Sequence, residues 1–202
     1  MQLSLNPWIA SPAADVEEDT PSVHVPPAAA ISTPLRGMVE PDTADRLASR
    51  RMSGAAALWV VGSHGGAGES RIAELIPGAR PAGHSWPVPQ GGSTPRVLLV
   101  CRADMRGLTS AQSALTQWAS GAAPEVELLG LAVLADAPGK TPKALRDFAA
   151  IVGGGAPRLW ILPWVEEWRH GNPTTAPPAR HYQRFITDVA ALATETTPST
   201  NY

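Results

Sequence analysis

Nine consecutive residues hold the types from which an anion site is built. Gly62, Ser63, His64, Gly65, Gly66, Ala67, Gly68, Glu69 and Ser70 follow an apolar run, Ala55 to Gly62, and precede a stretch able to start a helix. Glycine-rich turns between a strand and a helix let backbone N–H groups converge on one point, where a phosphate is bound without any side chain. Ser63 and Ser70 add hydroxyls, His64 an imidazole and Glu69 a carboxylate. Each also has a structural reading. A glutamate in the first turn of a helix is stabilised by the macrodipole by about 0.3–1 kcal/mol without a ligand. The glycines serve a tight turn, and the histidine caps it. Ser63 and His64 with a distant aspartate would make a hydrolase triad, but adjacent side chains rarely face each other and no G-x-S-x-G elbow is present.

Further along, Asp104 and Asp136 fall just after apolar runs, at the edge where open α/β sheets bind ligands. Both also suit turns. Trp160, Trp164 and Trp168 recur every four residues. Trp160 reads as core. Trp164 and Trp168, interleaved with Glu166, Glu167 and Arg169, read as packing over the sheet edge or as a partner surface.

The elements that must position these residues are short. Ala55 to Gly62, Arg96 to Arg102, Val126 to Leu134 and Arg158 to Leu162 are continuous apolar runs, as in strands buried on both faces. Helical periodicity predicts helices at Glu69 to Ile76 (stopped by Pro77 and Gly78), Leu108 to Ser120, from Thr141-Pro142 to the glycines at 153–155, and about Ala179 to Ala193. Thr109 and Gln112 are placed for a capping box. Gly78 to Pro95 reads as a loop with a short strand near His84 to Val88. Strands alternating with helices predict a three-layer α/β domain with a parallel sheet of four or five strands.

Prolines at 7, 12, 21, 26, 27, 34 and 41 and an acidic run at Asp15, Glu17, Glu18 and Asp19 predict a disordered tail over residues 1–53. The α/β domain is then 54–195 and a frayed end 196–202. Thr43 to Arg51 has the makings of one short helix. A net charge of −2 supplies no basic footprint for nucleic acid. The single cysteine, Cys101, excludes an intramolecular disulfide and a cysteine metal cluster. No run approaches a membrane span and no leader pattern opens the chain, so the expectation is a cytoplasmic protein.

A phosphate loop reads G-x-x-x-x-G-K-[ST]. Gly68 and Ser70 fit that pattern, while Ser63 stands at the first glycine and Glu69 at the lysine. The stretch is similar to the deviant P-loop of ParA/MinD partition ATPases, K-G-G-x-G-K-[ST]. Gly65, Gly66, Gly68 and Ser70 match it, His64 replaces the signature lysine and Glu69 the phosphate-binding one. With the segments 96–104, 128–140 and 159–171, the chain resembles an uncharacterised actinobacterial family related to ParA and carried on plasmids and other mobile elements. The resemblance spans roughly 55–172 and implies a P-loop NTPase-like fold.

The loop, the resemblance and the strand-end position of Asp104 together give a candidate phosphate or nucleotide site at Ser63, His64, Gly65, Gly66, Gly68, Glu69, Ser70 and Asp104, with Ser70 as the candidate for a magnesium ion. Glu69 opposes that chemistry. Two unit charges about 4 Å apart interact by roughly 4 kcal/mol at an effective dielectric near 20, and here the sign is reversed. Gly78 to Pro95 supplies no Asp or Glu either, and is expected to be too short for two further acidic strands. The leading expectation is a degenerate P-loop protein without normal ATPase activity, a binding or regulatory component of a mobile element with a protein partner or as a homodimer. The alternatives are an unconventional ATPase using Glu69, Ser70 and Asp104 with magnesium, and a structural protein that recruits a partner through its acidic Pro-rich tail.

Overall fold

Apolar runs without a period-two alternation must be covered on both faces, and the structure covers them with helices. In the computed structural model, residues 38–91, 93–170 and 180–194 are described. The elements in chain order are β1 (Ala48–Met52), β2 (Leu58–Gly62), α1 (Glu69–Leu75), β3 (Ala79–Gly83), β4 (Ser85–Pro89), β5 (Arg96–Arg102), α2 (Met105–Ala119), β6 (Glu127–Leu134), α3 (Lys143–Gly153), β7 (Leu159–Leu162) and α4 (Arg180–Thr194). Short 3₁₀ turns occupy Thr43–Asp45 and Glu166–His170. Among the described residues no helix is long and apolar enough to cross a membrane.

Five strands form the main sheet in the order β3-β2-β5-β6-β7, every neighbouring pair parallel. Successive residues of the three inner strands, β2, β5 and β6, feed opposite cores, while the edge strand β7 leaves Ile161 49% exposed. Val61, Leu99 and Val133 pack with Leu108, Leu115 and Trp118 of α2 and Val152 of α3. Val60, Leu98 and Ala132 pack with Ile72 of α1 and Tyr182, Phe185 and Val189 of α4. Each fully buried Val, Leu, Ile or Phe among them contributes about 1.5–3 kcal/mol of transfer free energy. The expected three-layer α/β sheet of four or five strands is therefore present, with five.

The chain steps from β2 out to β3, returns past β2 to β5, and continues to β6 and β7. Counted within the sheet, this is the 2-1-3-4-5 order of flavodoxin-like doubly wound proteins, and it leaves a switch point between β2 and β5. Ligands of such sheets bind outside the carboxyl ends of the strands there, where residues 63–68 and 103–104 lie.

Several expectations are corrected. Gly78 to Pro95 holds two strands: β3 takes the edge of the main sheet, and β4 pairs in parallel with β1, Ala48 opposite Ser85 through Met52 opposite Pro89. This segment is thus long enough for two strands, though it contains no acidic residue. Folded structure begins before residue 54. Thr43 to Arg51 is a 3₁₀ turn and the start of β1 instead of a helix. Buried Gln117 ties this segment down: its Oε1 accepts from the Leu47 N–H (3.0 Å) and from Trp86 Nε1 (2.9 Å), and its Nε2 donates to the Leu47 carbonyl (3.1 Å). The rest of the tail, residues 1–37, and the carboxyl end, 196–202, lie outside the described residues. α2 starts three residues earlier than its periodicity suggests and is capped by Asp104, while Thr109 Oγ1 donates to the Met105 carbonyl, so no capping box forms.

Candidate functional site

β2 ends at Gly62, and the ladder runs one residue further: the Ser63 N–H donates to the Val100 carbonyl at 2.9 Å. The chain then turns, the Ala67 N–H reaching the His64 carbonyl at 3.3 Å, and enters α1 through Gly68. Gly66 (φ 79°) and Gly68 (φ 101°) adopt left-handed backbone that other residues resist. A Cβ at Gly68 would also stand 2.9 Å from Leu134 Cδ2. Among the described residues, no acceptor meets the N–H groups of Gly65, Gly66 and Gly68.

His64 is committed to this backbone. Its Nε2 accepts from the Arg102 N–H at 3.1 Å, and its Nδ1 lies 2.9 Å from the Gly65 carbonyl. An accepting Nε2 requires the neutral ring protonated on Nδ1, which then donates to Gly65. Both nitrogens are occupied, so the imidazole serves the turn.

Glu69 folds back toward the strand. A Cβ at Gly62 would lie 2.9 Å from Glu69 Oε2 and 3.0 Å from His84 Nδ1. The carboxylate thus lies against the strand end where the loop begins, with His84 of the β3–β4 turn beside it. Ser63 is buried, and its hydroxyl has no partner among the described residues. Ser70 is exposed on α1. Asp104 Oδ1 accepts from the Gly107 N–H at 2.7 Å as the cap of α2, and Asp136 is exposed in the turn after β6. Among the described residues no group of three or more His, Cys, Asp or Glu side chains is placed to hold a metal.

Arg102, the last residue of β5, joins the parts. Beyond its main-chain bond to His64, its Nε donates to the Gly66 carbonyl at 3.2 Å and its Nη1 to the Ala135 carbonyl at 3.1 Å. On its other side a cleft of about 260 Å³ opens, lined also by Pro163, Trp164, Trp168, Arg169 and Tyr182. Tyr182 Oη donates to the Pro163 carbonyl at 3.0 Å. Burial pushes its phenol well above the ordinary range, against a smaller downward pull from Arg102. Trp168 meets the Tyr182 ring edge-on, centroids 5.1 Å apart, and Arg71 lies over it. Trp164 Nε1 donates to Glu166 Oε2 at 2.7 Å, and the Arg169 guanidinium lies 5.7 Å from the ring centroid. Trp160, half-buried, packs on Phe185 against the margin of the core.

The structure therefore gathers the residues of the 63–70 loop at the switch point and commits His64 and Asp104 to backbone bonds. Arg102, Tyr182 and His84 are the members that sequence reasoning missed. The strand-end rule that singled out Asp104 points equally to Arg102, two residues earlier.

A doubly wound α/β sheet with a glycine loop at its switch point defines the class. The chain belongs to DUF6668, a family of unknown function, which matches residues 56–183. No curated protein and no solved structure matches it.

Proposed function

We propose that this chain is a degenerate ParA/MinD-like P-loop protein without normal ATPase activity, acting in the cytoplasm as a binding or regulatory component in the maintenance or transfer of a mobile element. The observation that carries the reading is Glu69. Its carboxylate turns back to within 2.9 Å of a Cβ position at Gly62, on the strand side of a loop whose N–H groups would receive phosphate oxygens. The likeness to partition ATPases rests on this loop and on the segments at 96–104, 128–140 and 159–171, since the sheet order is flavodoxin-like. The mobile-element context and a protein partner or second copy of the chain come from that likeness.

A magnesium triphosphate does not fit the residues present. The carboxylate at 69 replaces the cation that neutralises transferring phosphates, and Asp104 already caps α2. These residues support no phosphoryl-transfer step. The backbone nest still suits an anion of lower charge density.

The purified chain is expected to hydrolyse ATP no faster than buffer. Turnover on the order of 1–100 s⁻¹, abolished by Ser70→Ala, would overturn the reading. Glu69→Lys should raise affinity for inorganic phosphate, by a margin that shrinks as salt is added. It should also lower folding stability by about 0.3–1 kcal/mol, because a cation then sits at the positive end of α1. Calorimetry that finds phosphate binding in neither form would leave the loop a structural turn.

A further inference from the structure

The cation absent at position 69 has a counterpart one strand away. Arg102 is half-buried, and its guanidinium donates only to the neutral carbonyls of Gly66 and Ala135. Among the described residues no carboxylate pairs with it, and its Nη2 makes no hydrogen bond. A partly desolvated charge without a counter-ion is costly, and the two carbonyls hold the planar fork in one orientation. We propose that the cleft walled by Arg102, Trp164, Trp168 and Tyr182 is a binding site for a small anion carried on a planar ring, an aryl phosphate or aryl carboxylate.

The anion would meet Arg102, and the ring would lie along the indole of Trp164. That indole is fixed by its own bond to Glu166 and so loses little freedom on binding. Trp168 and Tyr182 pack edge to face and form a stiff back wall. The size agrees. The cleft of about 260 Å³ exceeds the roughly 150 Å³ cavity that takes benzene and falls short of the roughly 300 Å³ at which pockets for drug-sized ligands begin. One ring and one anionic group fill it. This inference is independent of the loop reading, because its charge and its walls come from β5, the turn after β7 and α4.

The test is a calorimetric titration of the full chain with phenyl phosphate, benzoate, inorganic phosphate and benzyl alcohol at fixed salt. Phenyl phosphate and benzoate should each bind about tenfold more tightly than inorganic phosphate or benzyl alcohol, since they use both the charge and the ring. Arg102→Gln should weaken both aryl anions by about tenfold. Trp164→Ala, at a half-buried position outside the two cores, should weaken them by a similar factor and leave inorganic phosphate unchanged. That variant decides the matter if Arg102→Gln fails to fold. Equal affinity for phenyl phosphate and inorganic phosphate overturns the proposal. So does binding that responds to Arg102→Gln and Glu69→Lys while Trp164→Ala is silent, because the anion then sits in the glycine loop.

Discussion

The loop after β2 and the tryptophan-rich turn after β7 close the same edge of one parallel sheet with different materials. The loop is fastened by main-chain groups: Ser63 to Val100, Arg102 to His64, and the Arg102 side chain to the Gly66 carbonyl. Its neighbours are small, and Gly62, Gly68 and Gly107 each leave room that another part of the site fills. The turn after β7 is fastened by Trp168 on the Tyr182 ring and by the Tyr182 hydroxyl bond to Pro163, next to Trp160 of β7 on Phe185. The loop side is therefore intolerant of added volume, whereas the aromatic side is intolerant of lost volume and lost donors. The two sides also separate the charges: a carboxylate folds into the loop, and a guanidinium faces the rings.

Gly107→Ala is the sharpest way to break that contrast and has the largest expected effect. Its Cβ would stand 2.5 Å from the Arg102 carbonyl oxygen and 2.9 Å from His64 Nε2. Backbone cannot swing away, so overpacking should cost about 1–3 kcal/mol in urea unfolding. A neutral result would mean that the first turn of α2 shifts freely and that the loop is not packed from that side. On the aromatic side, Tyr182→Phe keeps the ring and removes only the hydroxyl that satisfies the Pro163 carbonyl. The expected loss is about 1 kcal/mol. A larger loss than Gly107→Ala produces would invert the comparison.

The smallest effect at neutral pH, and a sharpening one, belongs to Cys101 between the two regions. Burial, with the Asp104 carboxylate adding in the same direction, pushes its thiol from the ordinary 9.0 up to about 12. Below pH 9.0 the thiol is protonated in both folded and unfolded chains and contributes no pH dependence. From pH 9.0 to about 12 the unfolded chain releases the proton while the folded chain keeps it, so stability falls as pH rises. Tm should therefore decline across that window, less steeply in Cys101→Ala. Equal slopes in both proteins would assign the alkaline loss to other groups. At about pH 8 the native thiol, with no exposed surface, should not react with a disulfide reagent.

What is legible in the sequence is what local pattern encodes. β2, β5, β6 and β7 are dense runs of Leu, Val and Ile, and their identity depends little on partners. β1 (Ala-Ser-Arg-Arg-Met) and β3 (Ala-Arg-Pro-Ala-Gly) carry almost no strand propensity, whereas β4 (Ser-Trp-Pro-Val-Pro) is the short strand read near His84 to Val88. β1 and β3 become strands through pairing: β3 against β2, and β1 against β4. Capping divides in the same way, since Thr109 and Gln112 match a local template while Asp104 captures the helix start. So does the site. The 63–70 loop announces itself through glycine spacing. Arg102 has only its place at a strand end to mark it, because its partners, Gly66 and Ala135, lie 36 and 33 residues away.

The bond between Leu47 and Gln117 has a bearing on how the protein is made. The two residues are 70 apart in the chain, and the intervening stretch contains every strand that β1 lies against. On a ribosome β1 emerges first, yet its anchor is roughly 4–14 s behind at about 5–20 residues per second. Until β4, its pairing partner, follows it out, β1 is an unpaired segment carrying Arg50, Arg51 and few apolar side chains. That composition is poorly suited to pairing with other nascent chains. The weak strand propensity that hides β1 from a pattern search thus suits a segment that must wait for β4 to pair with it and for Gln117 of α2 to anchor the residue before it.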